Sequence, residues 1–457
     1  MKQILLSFSL CFLTLQGFAQ HSFMGIQNSP RKGMVHAAMN PAELNNLSRK
    51  VEVNLFSVGA TANNNVLTFK DIIKEEDDYL DLVFDRMDGP VTVNSETQVM
   101  GPSFGFTVNK WSFGIITQAF VKGDVMGLDA ELSRAFQDGE LADQYYDLSI
   151  HSTSNQRVNV AGWAEIGVLA GREIWSNDVH TFSAGGNFKL LIPGAYMNLG
   201  LDNLQGTLTR SADEFSLTDA KGRLNLSYPP ELEDWDIVEQ NIRRYRLKNI
   251  SGIALDLGIS HQWMKNGVAK FSSGFSLKNM GRLNLAPTQV NNSYQMNIPA
   301  GEYFRLDQLE GELEEIEQEL LSSGYFTKSN RRAKASPGLP TTLVAYTDMR
   351  VSRIFQVSVF GQYRVADNTN NRQISSQNVI AVTPRLTLGN FEIYSPWANY
   401  EVSGLTGGAG LRLGSFFIGS QSVVTGLLAD SKQVDLHMGL SLGFGDRTPK
   451  SNYNVNY

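Results

Sequence analysis

Residues 434–444 read V-D-L-H-M-G-L-S-L-G-F. Val434, Leu436, Met438, Leu440, Leu442 and Phe444 alternate with Asp435, His437, Gly439, Ser441 and Gly443. Successive side chains of a strand point to opposite faces, so this stretch has one apolar and one polar side. A helix would scatter the same residues around its circumference. A tilted strand needs roughly 9–11 residues to cross the hydrocarbon core of a bilayer, and this stretch is that long. It reads as the closing strand of a membrane β-barrel.

The same alternation recurs along the chain. A first strand covers 51–60, and a pair covers 103–109 and 111–120 around the turn Asn109-Lys110. Further strands cover 157–169 and 179–191, joined through Ser176-Asn177-Asp178. Those at 251–263 and 268–278 are joined by Lys265-Asn266-Gly267, and Asn-Gly is a strong hairpin signal. From 341 onward strands follow at 341–351, 354–364, 378–388, 391–400, 406–413 and 415–424, with Gly389-Asn390 as another tight turn. Between them lie polar insertions at 70–88, 125–147, 231–248 and 302–321. The last steps Leu306, Leu309, Leu313, Ile316, Leu320 by three and four, which predicts an amphipathic helix folded back on the barrel rim, its glutamate face in solvent. Residues 196–228 hold several short strand candidates that cannot be counted. The fold class is therefore all-β: a transmembrane antiparallel β-barrel of about fourteen strands, with helical loop inserts and an N-terminal hatch segment.

Soluble β-sandwiches also alternate. Against them stand strand lengths near ten residues, where soluble strands run about 5–6. Aromatic residues fall near strand ends (Trp111, Trp175, Trp263, Tyr394, Trp397, Tyr400), as an interfacial girdle requires. Many of the 41 glycines fall on the polar face, where small residues suit a curved wall.

The ends divide the chain further. Residues 1–19 form an expected signal peptide, with Lys2 ahead of an apolar stretch and the small-x-small site Gly17-Phe18-Ala19. Cys11 is the sole cysteine and lies inside that stretch, so cleavage removes every thiol and excludes disulfides and cysteine chemistry. Residues 20–50 are the hatch or plug segment. There Met39, Asn40, Pro41, Ala42 and Leu44 are the candidate ligand-binding or hatch residues, with Asn40 capping a short turn that Pro41 starts. The barrel is expected over 51–444 and a polar tail over 445–457. A net charge of −7 argues against nucleic acid as a partner.

The search for chemistry is negative. The six histidines are dispersed without metal-ligand spacing, and no G-x-S-x-G elbow occurs. Gly407-Gly408-Ala409-Gly410 precedes a strand and lacks a following Lys-Ser/Thr, so it reads as strand-end glycine, not a phosphate loop. His437, on the polar face of the last strand, is the one residue worth checking for lipase chemistry. No catalytic residue, metal site or cofactor is assigned, and an enzyme is not expected.

A signal sequence, then Asn40-Pro41-Ala42, then about fourteen strands resembles the FadL/PorV-type outer-membrane barrels. Leu255-Asp256-Leu257-Gly258 and Leu277-Lys278-Asn279-Met280-Gly281 are similar to strand ends of the same proteins. Leu411-Arg412-Leu413-Gly414 through Phe417-Ile418-Gly419-Ser420 resembles the C-terminal strands of an uncharacterised Bacteroidetes subgroup. The resemblance implies an outer-membrane location, with lipid around the wall and the Asn-Pro-Ala segment entering the barrel as a hatch. It also implies one of two functions. FadL-type members import hydrophobic molecules, which predicts an apolar pocket behind the hatch and a kink in the wall. PorV-like members serve type IX secretion, and a barrel docking secretion or cell-surface proteins would have a filled lumen and ordered inserts. On the resemblance, passage of hydrophobic small molecules is the leading expectation.

Overall fold

The structure is a computed structural model that describes residues 23–73, 82–83, 86–128, 146–152, 155–211, 214–229, 249–266, 268–306, 309, 313–329 and 336–446. The signal peptide, most of the insertion at 70–88, the segment 231–248 and the tail beyond 446 lie outside the described residues.

Among the described residues, fourteen strands form one closed antiparallel wall. In chain order they are β1 (Val51–Asn64), β2 (Val91–Met100 continuing as Ser103–Val108), β3 (Trp111–Leu128), β4 (Asn155–Ser176) and β5 (His180–Ser211). Next come β6 (Gly252–Lys265), β7 (Val268–Arg282), β8 (Thr342–Arg350), β9 (Phe355–Arg364) and β10 (Val379–Leu388). The last four are β11 (Phe391–Tyr394 and Trp397–Tyr400), β12 (Gly404–Gly407 and Ala409–Leu413), β13 (Phe416–Ser420) and β14 (Gln433–Phe444). Each pairs with its neighbour in sequence, and β14 returns to β1 with Val51 opposite Phe444 and Asn63 opposite Gln433. Closure leaves no strand edge, the condition for a sheet to cross lipid.

The alternation is turned inside out relative to a soluble protein. Along β6, Ile253, Leu255, Leu257 and Ile259 are exposed while Asp256 and Ser260 are buried. Along β14, His437 and Ser441 face inward and are buried, and Leu436 and Phe444 face out. Apolar side chains that would be costly in water are at home in acyl chains, and the polar face turns to a lumen. Short turns close one end of the wall. Asn109 and Asn266 take positive φ there (55° and 54°), as does Gly389 (61°), the conformation tight hairpins require.

Long connections gather at the other end, where several expectations need correction. β3 runs to Leu128 and so absorbs the start of the insertion expected from 125. β4 and β5 continue well past the membrane span, and residues 196–228 are the upper half of β5 paired with a separate strand, Glu214–Tyr228. With Tyr146–His151, Val290–Ile298, Phe304–Arg305 and Phe326–Lys328 they make a small sheet beyond the wall. The helices among the described residues are short: α1 (Met34–Met39), α2 (Phe69–Ile73), α3 (Leu313–Ser322) and α4 (Val423–Leu428). Of the helix expected over 302–321, Leu313 onward is helical as α3 and Phe304–Arg305 joins the sheet instead, while 307–308 and 310–312 lie outside the described residues. α3 packs on that sheet, not on the rim. Its Glu317 is not solvated: Tyr228, Tyr294, Asn292 and Lys328 all bond to it. Leu208, Tyr294, Met296, Phe304, Leu320 and Phe326 form an apolar core for this cap. The strand expected over 415–424 ends at Ser420, where Ser420 and Ser422 turn the chain into α4.

The girdle is also smaller than expected. Trp111, Trp175, Trp263 and Trp397 are exposed, but Tyr394 and Tyr400 are buried and point inward. They share the inner face of β11 with Glu392 and Ala398, while Ile393 and Trp397 face outward.

Inward and outward positions separate in a direct measurement. Nitroxide labels at Val359→Cys and Ser358→Cys, with Cys11 removed, should report opposite environments in a bilayer. The label at 359 is expected to collide strongly with oxygen dissolved in lipid. That at 358 should be shielded from oxygen and from aqueous relaxants alike, and similar oxygen access at both would contradict the assigned faces.

Candidate functional site: a lumen closed from both ends

The N-terminal segment does not lie on the surface. Residues 23–47 enter the barrel from the short-turn end, and nearly all of them are buried. They meet every wall strand. Gly33 lies beside Glu52 of β1, and Leu44 and Met34 lie against Gly105 of β2. Asn45 accepts a bond from Ser112 of β3 (2.8 Å), and its amide faces Gly171 of β4 and the Ala184 carbonyl of β5. Asn46 donates to Ser260 of β6 (3.1 Å), and Ser276 of β7 donates to the Met39 carbonyl (2.8 Å). Asn28 donates to Asp348 of β8 (3.1 Å), and its own carbonyl accepts from Gln356 of β9 (3.1 Å). Arg385 of β10 holds the Gly25 carbonyl, and Ser29 donates to Glu392 of β11 (2.8 Å). Arg412 of β12 donates to the Arg31 carbonyl (3.1 Å). Phe23 packs edge-on against Phe417 of β13 and His437 of β14.

The five candidate residues of the hatch lie together at the centre of this plug. Met39 is the last residue of α1, and Asn40 then caps a 3-10 helix, Pro41–Asn46, its side-chain oxygen accepting from the Ala42 amide (3.0 Å). The Asn40 amide nitrogen donates to the Ile259 carbonyl (2.9 Å) and lies 3.3 Å from the Tyr346 hydroxyl. Ala42 and Leu44 are fully buried. What receives this turn is a patch of glycine. A Cβ on Gly258 would overlap the Asn40 side chain, and one on Gly185 would sit 2.5 Å from the Pro41 carbonyl oxygen. Inner-face glycine here serves close approach of the plug backbone more than curvature of the wall.

Several of the buried charges are paired. Lys32 and Glu43 form an ion pair inside the plug (2.5 Å), and the Tyr346 hydroxyl donates to the same carboxylate. His36 sits beside them. Its Nδ1 accepts from the Gly33 amide (3.3 Å), so Nε2 carries the proton donated to the Ser29 carbonyl (2.7 Å). Burial, then the nearby Lys32 charge, hold its pKa well below the ordinary 6.5, and the neutral ring is the form that fits. In the wall, Lys189 bridges Glu165 (3.1 Å) and Asp256 (2.9 Å) across β4, β5 and β6. Removing one member of such a set costs on the order of 3–5 kcal/mol, because its partner is left buried and unpaired.

The second closure has no counterpart in the sequence reading. Between β9 and β10 the chain folds back into the barrel mouth. Lys122 donates to the Ser375 carbonyl, Arg157 to Asn368, Asn159 to the Gln373 carbonyl, and Gln377 to Asn63. The stretch reads D-N-T-N-N-R-Q-I-S-S-Q-N over 367–378, and that density of amides and hydroxyls between two strict strands was the available signal. Between plug and loop remains a cavity of about 90 Å³ touched by Phe23, Gln27, Met39, Lys189, Gln362 and Ser376. Small-molecule pockets occupy about 300–1,000 Å³ and are mostly apolar. Among the described residues, this cavity is smaller and more charged than the apolar pocket expected behind the hatch.

A kink does occur in the wall. β2 breaks at Gly101-Pro102, opposite a bulge at Leu55-Phe56 of β1. Side chains patch the interrupted ladder: Asn54 donates to the Met100 and Gly101 carbonyls, and the Thr117 amide donates to Ser103 Oγ (3.1 Å). A second interruption falls at Ser395-Pro396 and Gly408, and the glycines at 407–410 stand where one strand segment ends at Gly407 and the next begins at Ala409, as strand-end glycines. His437 bonds the Tyr394 hydroxyl (2.8 Å), and no serine completes a hydrolytic pair there. Among the described residues no cluster of three metal-ligating side chains occurs.

A closed antiparallel wall with apolar residues outside and a plugged polar lumen defines a barrel of the outer-membrane class. The chain belongs to the family of unknown function DUF5723, whose pattern matches residues 41–421. No curated protein matches it. Among solved structures it is similar to the translocator domain of the autotransporter NalP from Neisseria meningitidis (6% identity, 90% of this chain and 95% of that one, TM-score 0.33). It is similar also to the P. putida toluene transporter TodX (8% identity, 89% and 93%, TM-score 0.35). Likenesses this distant say nothing about activity.

The grip on the plug is measurable. Asn40→Ala removes a cap of about 1 kcal/mol and a wall bond of similar size, so amides over 36–46 should exchange roughly 5–30 times faster. Gly258→Leu should expel the turn and expose the segment to protease while the heat-resistant barrel persists. His36 has a folded-state pKa below its unfolded value, so plug stability is full above about pH 6.5 and falls as acid protonates the ring. Protection factors over 36–46, corrected for the intrinsic pH dependence of exchange, should fall by up to about tenfold per pH unit below that point. A flat profile would assign His36 no part in holding the plug.

Proposed function

We propose that this protein resides in the outer membrane as a closed barrel that docks other proteins at its long-loop end. In barrels of this class the short turns face the periplasm and the long loops the exterior, which puts the cap outside. The observation that carries the reading is the cap itself. It is a folded sheet with a helix and its own apolar core, built on strands that run on from the membrane wall. A small-molecule conduit has no need of such a structure, whereas a docking site needs rigid elements to hold its contacts. The double closure of the lumen and the small, charged cavity left inside agree with it. The partners of this reading are secretion or cell-surface proteins.

The kink at Gly101-Pro102 favours a second reading, in which the segment 20–50 is a movable hatch and hydrophobic small molecules pass once Met39, Asn40, Pro41, Ala42 and Leu44 shift. The two readings separate in one experiment on cells making the full chain. Photo-crosslinkers at exposed cap positions such as Ser322 are expected to capture a discrete envelope or secreted protein. Lipophilic extracts of the purified barrel are expected to be the same for the wild type and for Asn40→Ala/Pro41→Ala. Failure of cap crosslinking, with a bound apolar compound whose occupancy falls in the variant, would reverse the order of the two.

A further inference from the structure

At the short-turn end, opposite the cap, lies an open cavity of about 750 Å³ between the plug and the wall. Its rim is made by the β8–β9 turn, the β10–β11 turn and the point where the plug passes into β1. Five arginines line it: Arg31, Arg49, Arg350, Arg353 and Arg412. The only carboxylate in the lining, Glu392, is already engaged by Arg385 and by Ser29. Glu52, near Arg412, is the other carboxylate close by. Arg49 pairs with Asp446 in the open, where screening leaves such a pair weak. Arg31 donates to the Gly414 carbonyl (2.6 Å), and Arg412 to the Gly414 and Arg31 carbonyls (both 3.1 Å). Such bonds orient a guanidinium without neutralising it. Among the described residues, no hydrogen bond or ion pair engages the side chain of Arg350 or Arg353.

Gathering like charges around a cavity walled by protein focuses a positive potential into it, and only an anion relieves the repulsion. The planar fork of arginine matches the oxygens of phosphate, and several together suit a multiply bonded phosphate better than a single carboxylate. A bare phosphate would leave most of 750 Å³ empty. The lip also has an apolar side. Leu388 is exposed and continues the outward row of Ile380, Val382 and Leu386 on β10, and exposed Ile354 stands in the adjoining turn. The cavity thus opens where the lipid-facing wall ends.

We propose that this arginine cavity binds a phosphate group, carried there as the headgroup of an anionic lipid of the leaflet at the short-turn end. The headgroup sits among Arg31, Arg350, Arg353 and Arg412, and the acyl chains descend past Ile354 and Leu388. Free phosphate is the other possible source of the same chemistry, and the test separates the two.

The full barrel in detergent is offered phosphatidylglycerol or phosphatidylcholine, and retained lipid is counted by native mass spectrometry with and without inorganic phosphate. Wild type is expected to retain one phosphatidylglycerol at least about tenfold more strongly than phosphatidylcholine. R350Q/R353Q, which alters two unpaired side chains of the turn region, should lose that preference by about tenfold or more while keeping its heat-resistant barrel. R353Q alone, at an exposed turn position, should show a partial loss and covers the case in which the double variant folds poorly. Displacement of the lipid by millimolar inorganic phosphate would keep the phosphate site but assign it to the free ion. Equal retention of the two lipids, or no change in either variant, would overturn the site.

Discussion

The ladder between β1 and β14 is the interaction on which the rest of the molecule depends. Every backbone amide in a hydrocarbon layer must find a partner in the protein, since the surroundings offer none. Without that ladder, an open sheet of the same fourteen strands would leave two rows of unpaired groups in lipid. Pairing of Val51–Asn63 with Gln433–Phe444 removes both edges at once and joins the two ends of the wall. Once the circle is closed, the pleat does the sorting. The same alternation that exposes Leu436 to lipid puts Asp435, His437 and Ser441 into the lumen, and the lumen must then satisfy them.

The plug and the inward loop are the answer to that demand. A polar lumen can be filled with water or with protein, and here it is filled with chain rich in asparagine, glutamine and serine. Asn28, Asn40, Asn45 and Asn46 reach wall atoms from the plug, while Asn368 and Gln377 do so from the loop. Amides suit this task because each carries both a donor and an acceptor and no charge to desolvate. Several of the buried charges come in closed sets, such as Lys32 with Glu43 or Lys189 with Glu165 and Asp256. The glycines at 185 and 258 complete the arrangement by letting the plug backbone come within reach of these partners.

The wall was legible because its signal is periodic and local. A two-residue alternation needs no knowledge of neighbours, and turns such as Asn109-Lys110 and Gly389-Asn390 fix the hairpins from a few residues. What escaped reading was set by contacts distant in sequence. Tyr394 and Tyr400 look like girdle residues by position along the strand, but they share the inward parity of Glu392 and Ala398, and the partners that bury them, His437 and Gln421, come from distant segments. Glu317 looks like one glutamate in an acidic helix, and only the fold brings Tyr294, Asn292 and Lys328 around it. The inward loop has a composition but no period, so nothing in the linear pattern tells a surface loop from one turned into a lumen. Asn40 was singled out as a cap from its neighbours alone, and that local part of its role is the part the sequence could carry.

The two ends of the barrel have been built for different neighbours. At the long-loop end, strand β5 outlasts the wall and carries Leu204 and Leu208 into a second apolar core, so that end is a folded surface. At the short-turn end the wall stops within a residue or two of its turns, and exposed Leu388 and Ile354 stand beside guanidinium groups. Apolar surface next to unneutralised cation is stable where acyl chains give way to anionic headgroups, and it is poorly matched to open solvent or to the interior of a protein. The plug shares in this boundary, because Arg31 belongs to the same segment as His36 and Glu43. What binds at the arginine cavity therefore bears on the one element that closes the lumen from below.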